Sequence, residues 1–171
     1  MAGFKMIKQE KLSKEDWTVA PFLGLSLLGF ITTILDFIFL QGIAFKFMAI
    51  GGLILIILGG VLRMKARLEL KKRAGFTSFI ETTKLQIIKD HHLLNNGIHK
   101  HIRHPLYLGE ILRNLGITIF FSSFYGALII GLSSFFLIMR IEIEEKMLIS
   151  AFGKYYKEYK KKTMKLIPYI Y

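Results

Sequence analysis

The sequence predicts an all-α, polytopic integral membrane protein with about four transmembrane helices, and three observations lead there. Of 171 residues, 53% are hydrophobic, yet the formal net charge is +12. A soluble globule accommodates that combination poorly. The charge is absent from long runs: Ala20–Phe45 carries only Asp36, while Phe47–Leu62 and Asn114–Met139 carry none. Runs near 20 apolar residues read as bilayer crossings. Finally, 22 of the 24 Lys and Arg residues fall in three segments, leaving Lys46 and Arg113 outside them. Basic segments gather on the cytoplasmic face, so the three belong on one side.

The length favours a single domain, divided into a two-span anchor (residues 1–75) and a second part (residues 76–171). The first residues mix Lys5, Lys8, Lys11 and Lys14 with Glu10, Glu15 and Asp16, and reach Trp17, an indole suited to the headgroup level. A first span is expected over Thr18–Leu40. It starts too late and runs too long for a signal-peptide core, so it is expected to be retained. Asp36, near its end, is expected to face the interface or to pair with a neighbour. Gln41–Phe45 reads as a turn and Lys46–Arg63 as the second span. There Gly51, Gly52, Gly59 and Gly60 put small residues on one face for close helix packing. A basic helical continuation from Arg63 to Arg73 is expected to end near Gly75, and Phe76–Asn96 is mostly polar.

The run from Leu106 to Met139 poses a choice between one crossing and two. Ten basic residues lie between Arg63 and Arg103, and eight between Arg140 and Lys165. A single crossing would place them on opposite faces, whereas a hairpin turning around Ser122, Ser123 and Tyr125 unites them. Four spans with both termini cytoplasmic follow. The span from Leu106 is then about 16 residues, roughly 24 Å, short enough to insert tilted or to thin the bilayer. Glu110 and Arg113 lie three apart within it. They are either a structural ion pair or substrate-lining groups.

The polar junction ahead of that span, Gly97–Gly109, reads G-I-H-K-H-I-R-H-P-L-Y-L-G, with Pro105 placed for a helix start. Its histidines invite a metal, but no H-E-x-x-H spacing and no cysteine accompanies them, and no metal site is expected. No G-x-G-x-x-G turn or G-x-S-x-G elbow occurs, which removes the soluble nucleotide-fold enzymes. The basic pI of about 9.9 is explained by membrane orientation rather than nucleic acid. After the hairpin, Arg140 and Glu144 share one helical stripe and Glu142 and Glu145 another. Phe152, Tyr155, Tyr156 and Tyr159, beside lysines, are expected to be interfacial anchors. The junction and the Arg-Glu helix return to the same face, where two polar patches can clasp an amphiphilic substrate and a polar cofactor.

R-H-P-L-Y (Arg103–Tyr107), a hairpin, R-I-x-x-E-E (Arg140–Glu145), F-G-x-x-Y (Phe152–Tyr156) and a late proline together resemble the isoprenylcysteine carboxyl methyltransferase and phospholipid methyltransferase superfamily. The resemblance covers residues 90–168. It implies an integral membrane enzyme that uses S-adenosylmethionine and yields S-adenosylhomocysteine. By position it implies cofactor contacts at His91, His92, Leu93, Leu94, His99, His104, Pro105, Leu106, Tyr107 and Glu144. It places Arg140 at the acceptor. His99 stands where eukaryotic members carry a tyrosine, and an upstream glutamine contact has only Gln86 as a candidate.

The expected reaction is methylation of a lipophilic acceptor, foremost an isoprenylcysteine-like or isoprenoid carboxylate, which as a carboxylate needs no base. A phospholipid amine, which needs a proton acceptor such as Glu144, Glu145 or a histidine, and a small thiol are alternatives on the same scaffold. An NADPH-dependent reductase of the wider superfamily and a non-enzymatic membrane subunit are the remaining ones. The sterol reductases are longer with more spans, which argues against the former. Arg140, Glu110 and Arg113 are the candidate substrate groups. Prenylated substrate and membrane lipid are the expected partners, with neither nucleic acid nor an obligate protein partner.

Overall fold

The computed structural model describes residues 16–40, 46–73 and 96–167. Its elements, in chain order, are α1 (Val19–Phe39), α2 (Lys46–Arg73), a 3-10 turn (Gly97–Lys100), α3 (Pro105–Phe120), α4 (Phe124–Phe152) and α5 (Lys154–Lys162). Among the described residues the only extended pairing is a parallel bridge between Ile102 and Met164. Three helices among the described residues are long and apolar enough to cross a membrane: Val19–Phe39, Phe47–Lys72 and Phe124–Phe152. The fourth, α3, has 16 residues and falls short of that length, as charge counting predicted. The expected turn at residues 41–45 and helix end near residue 75 lie outside the described residues.

The chain forms two compact units, each built from both halves of the sequence. One holds residues 18–63 and 107–139, and the other residues 1–17, 64–106 and 140–171. The first is the membrane unit. Leucine, isoleucine and phenylalanine side chains of α1 and the apolar part of α2 stand largely exposed, as a lipid-facing surface requires.

In the membrane unit, α2 and α3 approach through paired glycines. A Cβ on Gly52 would lie 2.7 Å from the Gly116 carbonyl oxygen, and one on Gly116 would lie 2.8 Å from the Gly52 carbonyl oxygen. Gly59 and Gly109 repeat this at 2.6 and 2.7 Å. Gly51 and Gly60 face open space, so one member of each Gly-Gly pair makes the contact. Helices in lipid gain little from apolar burial and associate through such close packing and hydrogen bonds. Between α1 and α4 the bond is polar: the Ser26 and Ser133 hydroxyls lie 2.6 Å apart, and the Ser133 hydroxyl sits 3.0 Å from the Phe22 carbonyl.

The hairpin turns where expected. Ser122 adopts φ 53°, its N–H donates to the Ile119 carbonyl and the Ser123 N–H to the Thr118 carbonyl, which closes α3 with a left-handed residue. The Ser123 hydroxyl then accepts the Gly126 N–H, capping α4, and donates to Asp36 at 2.6 Å. Asp36 thus pairs with a neighbour, as the sequence suggested.

Candidate active site

The second unit carries the polar chemistry, and its scaffold is the junction before Pro105. Gly97 adopts φ +61°, a conformation that favours glycine, and the Glu69 carboxylate fills the space beside it. Glu69, on the last turns of α2, accepts the Ile98 N–H at 3.2 Å and the His99 Nδ1–H at 3.0 Å. The carboxylate only accepts, which fixes the neutral His99 ring with its proton on Nδ1. Burial is the leading influence on that ring and holds its pKa below the ordinary 6.5, against the pull of Glu69. The His99 carbonyl in turn accepts the Tyr159 hydroxyl at 2.5 Å. Burial pushes that phenol up to about 12.

Glu145 is the hub of the unit. Its side chain is 3% exposed, and it accepts Arg103 Nε at 2.8 Å and Lys160 Nζ at 2.5 Å, with His104 Nε2 at 3.4 Å. Two cations and an imidazole around one carboxylate satisfy a charge that would be costly to bury alone. Arg103 extends the net by donating to the Lys160 carbonyl at 3.1 Å and to the Thr163 carbonyl. Residues 101–104 also exchange backbone hydrogen bonds with 164–165: Arg103 N–H to Met164 O at 2.8 Å, Met164 N–H to His101 O at 2.9 Å. The segment after α5 is therefore bonded to the R-H-P motif.

His104 stands between two carboxylates, with Nδ1 3.7 Å from Glu144 Oε2. That distance is beyond hydrogen-bond range, and Glu144 Oε2 is buried with no hydrogen-bond partner. The Tyr156 hydroxyl is likewise buried without a partner, in a side chain 1% exposed overall. Burial, reinforced by the carboxylates of Glu145 and Glu144, raises the Tyr156 pKa, so the phenol keeps its proton. An orphaned acceptor and an orphaned donor in one unit are what a polar ligand would satisfy.

The unit thus brings together His99, His104, Pro105, Leu106, Arg140 and Glu144 from the sequence expectations. Arg140 is buried and faces a carboxylate already, with Nε 3.2 Å from Asp16 Oδ2. Tyr107, Glu110 and Arg113 belong to the membrane unit, and His91, His92, Leu93, Leu94 and Gln86 lie outside the described residues. One expectation is corrected. Tyr156 and Tyr159 are buried rather than interfacial anchors, because α5 turns them toward Glu145 and His99; Tyr155, 82% exposed, fits the anchor role. The expected Glu110–Arg113 ion pair is formed, and Arg63 shares the same carboxylate. Glu69, Arg103 and Asp16 carried no individual role in the sequence reading, and Glu145 only that of a candidate proton acceptor for an amine. The R-H-P and E-E motifs contain two of them, but Glu69 and Asp16 lie far from their partners in sequence.

The model of the isoprenylcysteine carboxyl methyltransferase family matches residues 52–150. The protein-S-isoprenylcysteine O-methyltransferase of Schizosaccharomyces pombe is 36% identical over 114 residues, covering 66% of this chain and 46% of the relative. That of Saccharomyces cerevisiae is 34% identical over 134 residues, covering 78% of this chain and 54% of the relative. The solved structure of a eukaryotic intramembrane Ras methyltransferase superposes with a TM-score of 0.69 at 27% identity, covering 87% of this chain and 52% of that one. The chain spans about half the length of the relatives it matches. Fold, motifs and matched residues agree, and the chain belongs to the isoprenylcysteine carboxyl methyltransferase family.

Proposed function

We propose that this protein is an S-adenosylmethionine-dependent methyltransferase that esterifies the carboxylate of a lipophilic, isoprenylcysteine-like acceptor reaching it from the bilayer. The observation that carries the reading is the buried, unpartnered Glu144 Oε2 beside His104. The reaction class is that of the related protein-S-isoprenylcysteine O-methyltransferases.

The donor set suits the cofactor. Glu144 offers a carboxylate oxygen to a cationic or hydroxyl donor, and Tyr156 offers an O–H to an acceptor. His99, His104, Pro105 and Leu106 would complete the cradle. Bound there, the cofactor would supply a methyl group on a positively charged sulfur, which the acceptor's carboxylate oxygen would displace as a neutral thioether, with no proton to remove first. The work left to the protein is positioning and exclusion of water.

Glu145 holds the His104 ring, so that ring keeps its orientation toward Glu144. Arg140 orients the acceptor's carboxylate as a planar fork does, and Asp16 is the carboxylate that the acceptor exchanges with. The site and both termini are assigned to the cytoplasmic face. Support comes from the clustering of 22 of the 24 basic residues in three segments.

Calorimetric titration of the detergent-solubilised protein with S-adenosylhomocysteine tests the reading. The natural sequence should bind, and Glu144→Ala should weaken binding by roughly ten- to a hundredfold, the worth of a hydrogen bond to a charged group. Undiminished binding by Glu144→Ala would remove Glu144 from the cofactor site.

A further inference from the structure

His99 is held from three directions. Its ring Nδ1 lies 3.0 Å from Glu69 Oε2, the N–H of Ile98 just before it donates to both Glu69 oxygens at 3.2 Å, and its own carbonyl accepts the Tyr159 hydroxyl at 2.5 Å. The side chain is 8% exposed, which leaves the ring little room to turn. His104 and Glu144 lie near enough for their charges to act on it. Glu69 comes from the last turns of α2, and it meets the junction through Ile98 and His99.

A neutral imidazole has one donor and one acceptor nitrogen. With the proton committed to Nδ1 by the carboxylate, Nε2 is left as a bare acceptor. It can take a hydrogen bond from a ligand amine and cannot give one. A ligand hydroxyl fits either polarity by rotating, whereas an amine donates only.

We propose that Glu69 is a positioning residue for the cofactor: by fixing the His99 tautomer it presents Nε2 as the acceptor for an amine of S-adenosylmethionine, the α-ammonium or the adenine amino group. The proposal rests on the methyltransferase reading, which puts His99 in the cofactor cradle. Glu69→Gln inverts the polarity at almost constant shape. The amide oxygen would keep the Ile98 N–H, and the amide NH2 would then face Nδ1 and drive the ring proton to Nε2. Donor would meet donor. A mismatch of that kind discriminates more sharply than a lost apolar contact.

Nitrogen-15 NMR of the histidine-labelled protein in detergent, with calorimetric titration by S-adenosylhomocysteine, tests this. In the natural sequence the His99 signals, assigned by their loss in His99→Gln, should show a protonated Nδ1 and a bare Nε2 that shifts when S-adenosylhomocysteine is added. Glu69→Gln should keep the parent's helical circular dichroism, exchange the two signals and weaken binding roughly tenfold. In a His99→Gln background it should cost almost nothing further, because Glu69 acts through the ring; a merely structural Glu69 would cost the same in both backgrounds. Two analogues locate the amine, S-inosylhomocysteine lacking the adenine amino group and deaminated S-adenosylhomocysteine lacking the ammonium, and the loss caused by Glu69→Gln should vanish for one of them. An Nε2 signal unmoved at saturation, signals that do not exchange in Glu69→Gln, or an equal loss in both backgrounds or for both analogues would overturn the role of Glu69 alone. Failure of the natural sequence to bind S-adenosylhomocysteine would instead overturn the cofactor reading, and this proposal with it.

Discussion

A single histidine illustrates how burial sets chemistry in this protein. His99 is held neutral because desolvation outweighs the Glu69 carboxylate, which lowers its pKa from 6.5. Well above that value the folded and unfolded chains carry the same proton count at this residue, and it contributes no pH dependence. As pH falls below it, the unfolded chain takes up a proton that the folded chain declines, so stability falls. The unfolding temperature in detergent should therefore drop between about pH 7 and pH 5, and His99→Gln should flatten that part of the profile. A profile unchanged by His99→Gln would assign the loss elsewhere. The same residue shows the limit of reading at this scale. The motif pointed to His99, but the partner that fixes its tautomer, Glu69, lies 30 positions earlier on another helix. Glu145 was visible as a member of an acidic pair and a candidate proton acceptor, not as a hub. Its partners Arg103, His104 and Lys160 come from two other segments, and no local periodicity joins them.

Helix boundaries were the most legible feature, because their causes are local. Pro105 opens α3, Ser123 caps α4, and charge asymmetry alone required a turn between them. The glycines of α2 were legible as a packing face, though not which of each pair faces α3, since adjacent residues on a helix point about 100° apart. That distinction makes a sharp test. Gly52→Leu should destabilise the protein by about 1–3 kcal/mol, as overpacking does, while Gly51→Leu, facing open space, should change stability little. Thermal unfolding of both variants in one detergent checks it; equal losses would contradict the observed α2–α3 register. Tyr156 and Tyr159 of α5 were misread for a related reason. A stripe of aromatic and basic residues looks alike whether it meets lipid headgroups or a buried carboxylate, and only the partner across the fold decides.

At the scale of the molecule, membrane unit and polar unit each draw on both halves of the sequence. The absence of cysteine makes the proposed topology directly measurable, since any introduced thiol is the only one. Tyr125→Cys at the hairpin and Glu158→Cys on α5 should be labelled by a membrane-impermeant maleimide from opposite sides of sealed vesicles. Labelling from one side would contradict two crossings after Arg103. Family membership rests on residues 52–150 and the superposition, whereas the acceptor rests on the polar unit and on chemistry. The central claim is methyl esterification of a lipophilic carboxylate, and one measurement addresses it most directly. The purified protein is incubated with methyl-labelled S-adenosylmethionine and an N-acetylated isoprenylcysteine, and the extracted product is treated with mild base. The account predicts labelled lipid whose label is released as methanol by base. No labelled product, or a label that survives base, would contradict it.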